Sequence, residues 1–80
     1  MTVNSEKEAL RKREKIQNYF WNQVGSAEHI SLPKLEAAIR KEFKFSENRF
    51  VQVQISLMQT EGRVKVQSRI KVWIRQPNSN

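Results

Sequence analysis

Two segments near the C-terminus alternate between apolar and polar residues, and only two residues separate them. They are residues 63–67 and 70–75, and in both of them every second residue is a valine or an isoleucine. A period of two is typical of a β-strand with one buried face. Because the segments are so close in the chain, the sequence predicts a β-hairpin with a short turn near Ser68. The predicted buried face consists of Val64, Val66, Ile70, Val72 and Ile74.

The polar face of this hairpin is strongly basic. Residues 62–80 contain five of the fifteen lysines and arginines of the chain and none of its eight acidic residues. A basic surface of this density is typical of proteins that bind a polyanion. The alternative is that the charges only protect an exposed sheet edge from aggregation. The basic residues are Arg63, Lys65, Arg69, Lys71 and Arg75, and Trp73 shares their face.

The N-terminal part of the chain predicts a long helix over residues 5–24. Ser5 and Glu8 have the spacing of a capping box, and Gly25 is a typical left-handed stop after the last turn. Five basic residues lie between positions 7 and 15, but glutamates interleave with them at the spacing of i, i+4 ion pairs. We therefore interpret this part of the helix as a solvated face rather than as a second basic surface.

A second helix is predicted after a short extended segment at residues 29–31. Ser31 is a typical N-cap residue, and Pro33 is tolerated in the first turn of a helix. The helix continues to about Glu42. Its apolar positions are Leu35, Ala38 and Ile39.

The stretch after Ser46 supports two interpretations. As a strand, residues 50–58 alternate well, whereas a helix places Gln54 within its apolar arc. A cap at Ser46 and a stop at Gly62 favour the helix. We predict a helix over residues 47–60 with the Gln54 amide satisfied at the edge of the core, and the strand stays open as the alternative.

Taken in order, these elements are a helix, a short strand, two helices and a hairpin. This order over residues 5–76 resembles the winged helix-turn-helix superfamily, as do the entry to the second helix at residues 30–35 and the exit from the third at residues 57–62. The resemblance implies an α+β fold of three helices with a short strand and a C-terminal β-hairpin wing. The chain is similar to small stand-alone basic members of the kind carried by archaeal viruses and plasmids. Residues 1–4 and 77–80 are predicted to be disordered tails.

The resemblance implies binding of double-stranded DNA, with the third helix (residues 47–60) in the major groove and the wing (residues 63–75) on the backbone. Arginine pairs with guanine edges and asparagine or glutamine with adenine edges, so the polar face of the third helix suits that role. Cations on the wing would contact phosphates, which set affinity rather than sequence choice. A transcriptional regulator or a replication accessory is expected. The predicted DNA-binding residues are Asn48, Arg49, Gln52, Ser56 and Gln59 on the helix and Arg63, Lys65, Arg69 and Lys71 on the wing.

Catalysis and cofactor binding find little support in the composition. The chain has no cysteine, and His29 is its only histidine, so neither a thiolate nor a multi-ligand metal site is expected. We therefore predict no enzyme activity, no metal, no cofactor and no small-molecule substrate. No apolar stretch approaches the ~20 residues of a membrane span, and the N-terminus lacks an apolar signal region. The expected location is cytoplasmic, with nucleoid association if the source is prokaryotic or viral.

The first helix carries more apolar surface than one core face needs. Leu10, Tyr19 and Trp21 widen its apolar arc to about 200°, against roughly 100° for a typical surface helix. We therefore predict a homodimer through this helix, which would present two third helices to half-sites about one DNA turn apart. Two alternatives stay open. One is a protein-docking winged helix in a larger complex, with Trp73 adding to that surface, and the other is RNA binding through an exposed sheet if residues 50–58 are a strand.

Overall fold

Three helices and three short strands make up the part of the chain that the computed structural model describes, which is residues 2–77, with side chains from residue 6 onward. The elements are α1 (Thr2–Val24), β1 (His29–Ile30), α2 (Leu32–Phe43), α3 (Asn48–Thr60), β2 (Val64–Ser68) and β3 (Lys71–Ile74). The strands form one antiparallel sheet in the order β1-β3-β2. The predicted α+β class and element order are confirmed. Within the described residues, no helix is both long and apolar enough to cross a bilayer.

The first helix starts earlier than its capping-box sequence suggests. It begins at Thr2, so Ser5 lies inside the helix and not at its N-terminus. Serine costs little in a helix interior, and the capping-box spacing therefore does not by itself fix a helix start. Residues 2–4 belong to α1 rather than to a tail. Met1 and residues 78–80, also predicted as tails, lie outside the described residues.

Local signals place the end of α1 and the start of α2 where the sequence predicts them. Gly25 adopts φ +58°, and its N–H donates to the carbonyl of Trp21 at 2.8 Å. Glycine takes this left-handed conformation without a Cβ penalty and so ends the helix. Ser31 is the N-cap of α2, where its hydroxyl accepts a hydrogen bond from the backbone N–H of Lys34 at 3.4 Å.

The connection between α2 and α3 differs from the predicted capping. The second helix ends at Phe43, one residue later than expected, with Lys44 in the left-handed region at φ 56°. The third helix has Glu47 at its N-cap, and the Glu47 side chain makes no capping hydrogen bond. Ser46 is therefore not the cap; its carbonyl instead accepts a hydrogen bond from Nε of Arg40 at 3.3 Å.

The ambiguous stretch forms α3, so the strand interpretation of residues 50–58 is wrong. The alternating apolar residues do not all fit on the buried side of this helix, so Val53 and Leu57 stay exposed, at 48% and 37%. Gly62 follows with φ +74°, as a stop residue should. The RNA-binding alternative loses its premise, because it required these residues to form part of a sheet. The buried side of α3 consists of Val51, Gln54, Ile55 and Met58.

The hairpin contains a bulge that the alternating pattern does not reveal. Its strands pair in antiparallel register up to Val66, which lies opposite Val72. The register then shifts, so that Ser68 lies opposite Lys71. A bulge of this kind adds one unpaired residue to a strand and moves the residues after it out of alternation. Ile70 precedes β3, lies in the turn and is 68% exposed, so its predicted place on the buried face is wrong.

The core lies between the helices and the inner face of the sheet. Trp21 packs against this core, which removes it from the predicted surplus apolar surface of α1. At the start of α2, the N–H of Leu32 donates to the carbonyl of Arg69 at 2.7 Å and so ties the hairpin turn to the helices. The largest fully buried side chains are Phe20, Leu35, Ile39, Met58, Val51 and Val72.

Candidate nucleic-acid interface

The solvent-facing side of α3 carries amide, hydroxyl and guanidinium groups, and α3 itself contains no acidic residue. Because a helix completes a turn every 3.6 residues, positions 48, 52, 56 and 59 share one side, with position 49 at its edge. All five side chains are exposed, while Val51, Ile55 and Met58 bury the opposite side. The structure thus brings together the five predicted contact residues of the third helix, Asn48, Arg49, Gln52, Ser56 and Gln59.

One residue of this polar side is already engaged within the protein. Nε2 of Gln52 donates to Oε2 of Glu36 on α2 at 2.9 Å. The hydrogen bond links α2 to α3 at the surface, and it places a carboxylate beside the polar side of α3. A nucleic acid that uses Gln52 therefore breaks this bond, or uses the amide oxygen or the second N–H of the side chain.

Three of the four predicted hairpin cations are exposed around the hairpin turn. Lys65 lies on β2, Arg69 lies in the turn and Lys71 begins β3. The backbone beneath them is held in place, because the carbonyl of Arg69 accepts the hydrogen bond from Leu32. The hairpin therefore presents positive charge at a fixed position relative to the helices.

Arg63 lies apart from these three cations. Its Nε donates to Oε1 of Glu61 at 2.8 Å, and its Nη1 donates to Oε1 of Gln17 at 2.9 Å. The Arg63 side chain is only 15% exposed. The Arg63 guanidinium is thus already paired within the protein. Arg63 is therefore a weaker candidate for a phosphate contact than the other three cations.

A second arginine, Arg13 of α1, meets the same glutamate and is buried. Nε and Nη2 of Arg13 donate to the two carboxylate oxygens of Glu61 at 3.0 and 2.6 Å, and Nη1 donates to Oε1 of Gln54 at 2.8 Å. Arg13 is 7% exposed, so the interpretation of the basic N-terminal stretch as a solvated face is wrong at this position. The sequence held a signal for it, because Arg13 precedes Ile16 and Phe20 by three and seven residues and so shares their buried stripe.

The two arginines belong to one hydrogen-bonded group that joins α1, α3 and the hairpin. Gln17 completes it, since its Nε2 donates to the carbonyl of Arg75 at 2.8 Å. Burial alone would raise the pKa of Glu61, but hydrogen bonds from the two arginines, together with their charges, outweigh that effect and lower the pKa. The group fixes how the hairpin sits relative to α3. We call it the Arg13 network: Arg13, Gln17, Gln54, Glu61 and Arg63.

Trp73 lies on the outer face of the sheet, between His29 of β1 and Lys65 of β2, its partners in the strand register. Its Nε1 donates to Oε1 of Gln67 at 2.8 Å. The His29 ring meets it edge to face, with 5.2 Å between ring centroids. Protein groups therefore hold the half-buried indole in place, and part of its surface faces solvent.

Comparison with known proteins gives no further guide to this surface, since no family model, no curated protein and no solved structure matches the chain. What bears on function is the chemistry of the surface itself. It combines amide and guanidinium groups on α3, a chemistry that suits base edges, with cations on the hairpin, a chemistry that suits phosphates.

Proposed function

We propose that this chain is a winged helix-turn-helix protein that binds double-stranded DNA, as a transcriptional regulator or a replication accessory. In this proposal α3 is the recognition helix and the β2–β3 hairpin is the wing. The observation that carries it is the adjacency of two exposed surfaces, since only residues 61–63 separate the end of α3 from the start of β2. One surface has the chemistry of base recognition and the other has the chemistry of phosphate binding.

The recognition helix suits the major groove in size and in chemistry. A helix with its side chains is roughly 10–12 Å wide, and the groove is about 12 Å wide. Asn48 and Arg49 occupy the first turn of α3, the part of a recognition helix that contacts base edges in helix-turn-helix proteins. Val53 is 48% exposed beside them and offers an apolar contact to a thymine methyl group.

The wing supplies affinity that does not depend on sequence. Lys65, Arg69 and Lys71 are exposed, and each cation that neutralises a phosphate releases a counterion from the DNA. The Arg13 network supports this role, because it anchors the base of the hairpin to α1 and α3. A wing that is fixed relative to α3 keeps its cations at a constant position beside the groove that the recognition helix occupies.

A fluorescence anisotropy titration tests the proposal. The probes are a labelled DNA duplex, one of its single strands and an RNA duplex of the same sequence, each titrated between ~50 and ~200 mM salt. We expect the DNA duplex to bind most tightly and its affinity to fall steeply with salt. Tighter binding of the single strand or of the RNA duplex would overturn the proposal, and so would an absence of binding at low salt.

We also propose a homodimer through α1, with a smaller contact surface on this helix than the sequence suggested. Leu10 and Tyr19 are 39% and 55% exposed, but they are nine positions apart in the sequence, which places them on opposite sides of the helix. One two-fold contact cannot use both. Leu10 lies with Phe50 and Leu57 of α3 around a shallow apolar depression, and we assign the dimer contact to that side.

A further inference from the structure

A groove of about 310 Å³ lies between α1 and α2, on the side of α1 that carries Tyr19. Tyr19 is 55% exposed at its edge, and its ring packs against Phe20 with 5.2 Å between centroids. The proposed DNA contact does not use this groove. An open groove with an apolar floor is typical of a docking site. The floor consists of Ile16, Phe20, Ala37 and Ala38. Ile16 and Phe20 are core residues that are only 3% and 1% exposed, so the accessible apolar surface comes mainly from the two alanines and the Tyr19 ring.

The rim of this groove is basic. Among the described residues that line it, Glu42 is the one acid, and its carboxylate meets Nζ of Lys15 at 3.3 Å. The Lys15 side chain is 73% exposed, so this ion pair is solvated and weak, and Lys15 can exchange it for another carboxylate. The rim lysines are Lys15, Lys34 and Lys41.

The spacing of the rim lysines matches a helical ligand. Lys34 and Lys41 are seven residues apart, which is about 10.5 Å along α2. A ligand helix of two turns covers that distance and places apolar side chains at i, i+3 or i+4, and i+7 on the floor. Carboxylates on its flanks would then reach the rim.

The groove and the recognition helix lie on different sides of α2. Glu36 accepts a hydrogen bond from Gln52 of α3, and Arg40 donates to the carbonyl of Ser46 in the segment just before α3. The rim lysines of α2 lie about 130° away around the helix. A ligand in the groove would therefore leave the polar side of α3 and the wing free.

We propose that the groove binds an acidic amphipathic helix of a partner protein. Charge complementarity selects this occupant, because a second copy of this chain, with net charge +7, would bring like charge to a basic rim. Nucleic acid offers phosphates to the rim but no apolar side chains to the floor. The inference does not depend on the DNA proposal. If both hold, the chain holds an acidic partner on duplex DNA.

The test uses a labelled helical peptide of about 18 residues with leucines at i, i+3, i+4 and i+7 and glutamates on its flanks. A peptide of the same composition with the leucines spread around the helix is its control. Two protein variants of equal net charge are compared, Lys34→Glu/Lys41→Glu in the groove and Lys65→Glu/Lys71→Glu on the wing. We expect the groove variant to weaken peptide binding by about tenfold or more and the wing variant to leave it nearly unchanged.

A third variant tests the apolar floor without altering any charge. Ala37→Trp fills the groove from an exposed position, and we expect it to abolish peptide binding while the circular dichroism spectrum is retained. The proposal is overturned if the wild type does not bind the peptide, if both peptides bind alike, or if both charge variants weaken binding alike. A selective loss of duplex DNA binding in the groove variant would identify the rim as a nucleic-acid surface instead. Failure of the wild type to bind DNA would leave the peptide result standing.

Discussion

Nη1 of Arg13 donates to Oε1 of Gln54 at 2.8 Å and so joins the facing sides of α1 and α3. Gln54 lies within the apolar arc of α3 and is only 5% exposed. Each group satisfies the other, since a buried guanidinium and a buried amide both need partners. In the described residues, every buried side-chain nitrogen and oxygen has a hydrogen-bond partner. The prediction that the Gln54 amide is satisfied at the edge of the core is confirmed.

Replacing Arg13 by a residue of similar length should destabilise the fold. Arg13→Met leaves Gln54 without its partner and removes one of the two cations that Glu61 meets, so we expect a loss of about 2–3 kcal/mol of unfolding free energy. Urea denaturation measures it. Arg11→Met is the matched control, because Arg11 is exposed on the same helix and its loss should cost less than about 0.5 kcal/mol. Equal losses in the two variants would contradict the role assigned to Arg13.

The stability contributed by Glu61 should depend on pH. Because the folded protein lowers the pKa of this carboxyl, its contribution is fully present above the unfolded pKa of about 4.3 and is lost as the pH falls through the folded value. Glu61→Gln should therefore be less stable than the wild type at neutral pH, and the difference should narrow on acidification. Denaturation curves at several pH values measure it. Glu28→Gln, at an exposed glutamate outside the Arg13 network, corrects for the loss of one negative charge.

Features set by neighbouring residues could be predicted from the sequence. Gly25 and Ser31 mark the ends of their helices by local backbone chemistry, and the structure places both as expected. The helical state of residues 48–60 was also predictable, because the length of the segment and Gly62 outweighed the alternation. Once these residues are predicted to form a helix, the helical period also predicts which of them share the polar side of α3.

Features that depend on distant partners could not be predicted. Arg13 and Glu61 are 48 residues apart, and no local pattern pairs them. The glutamates near Arg13 in the sequence suggested surface ion pairs instead. The engagement of Arg63 within the protein, which makes it a weaker candidate for a phosphate contact, is a consequence of the same network. Ile70 was misplaced for a different reason, because alternation does not show where a strand begins, and β3 starts only at Lys71.

The bulged turn makes two residues of similar chemistry respond differently to substitution. Ile70→Thr should change the unfolding free energy by less than about 0.5 kcal/mol, because the side chain is 68% exposed. Val72→Ala should cost about 2 kcal/mol, because Val72 is fully buried and its methyl groups leave a cavity. Thermal and urea denaturation of both variants measures the contrast. If Ile70→Thr costs as much as Val72→Ala, the turn lies elsewhere.

The proposed homodimer should depend on one side of α1. Leu10→Glu should shift the protein towards monomer in sedimentation velocity at high concentration, because it charges the apolar depression beside Leu57. Tyr19→Glu is the matched control on the opposite side of α1, where we expect no change in oligomeric state. A wild type that sediments only as a monomer, with and without DNA, would rule the dimer out.

Removing the contacts of the wing and removing those of the recognition helix should change DNA binding in different ways. Each phosphate contact contributes about −0.9 to the slope of log affinity against log salt, so replacing the three wing cations by alanine should flatten that slope by as much as about three units. All duplexes should weaken alike. Arg49→Ala should instead cost about 1–3 kcal/mol on a preferred sequence and little on random DNA, because base edges carry sequence information and phosphates do not. The wing cations are Lys65, Arg69 and Lys71.

Arg63→Ala is the control that the structure adds to this experiment. It removes a positive charge from the same segment, but one that is 15% exposed and hydrogen-bonded to Glu61 and Gln17. We therefore expect it to lower the unfolding free energy while leaving the salt slope nearly unchanged. If Arg63→Ala flattens the slope as much as a single wing substitution, net charge rather than position governs binding. If the triple variant keeps both its affinity and its slope, the hairpin is not the DNA contact, and its cations protect the sheet edge instead.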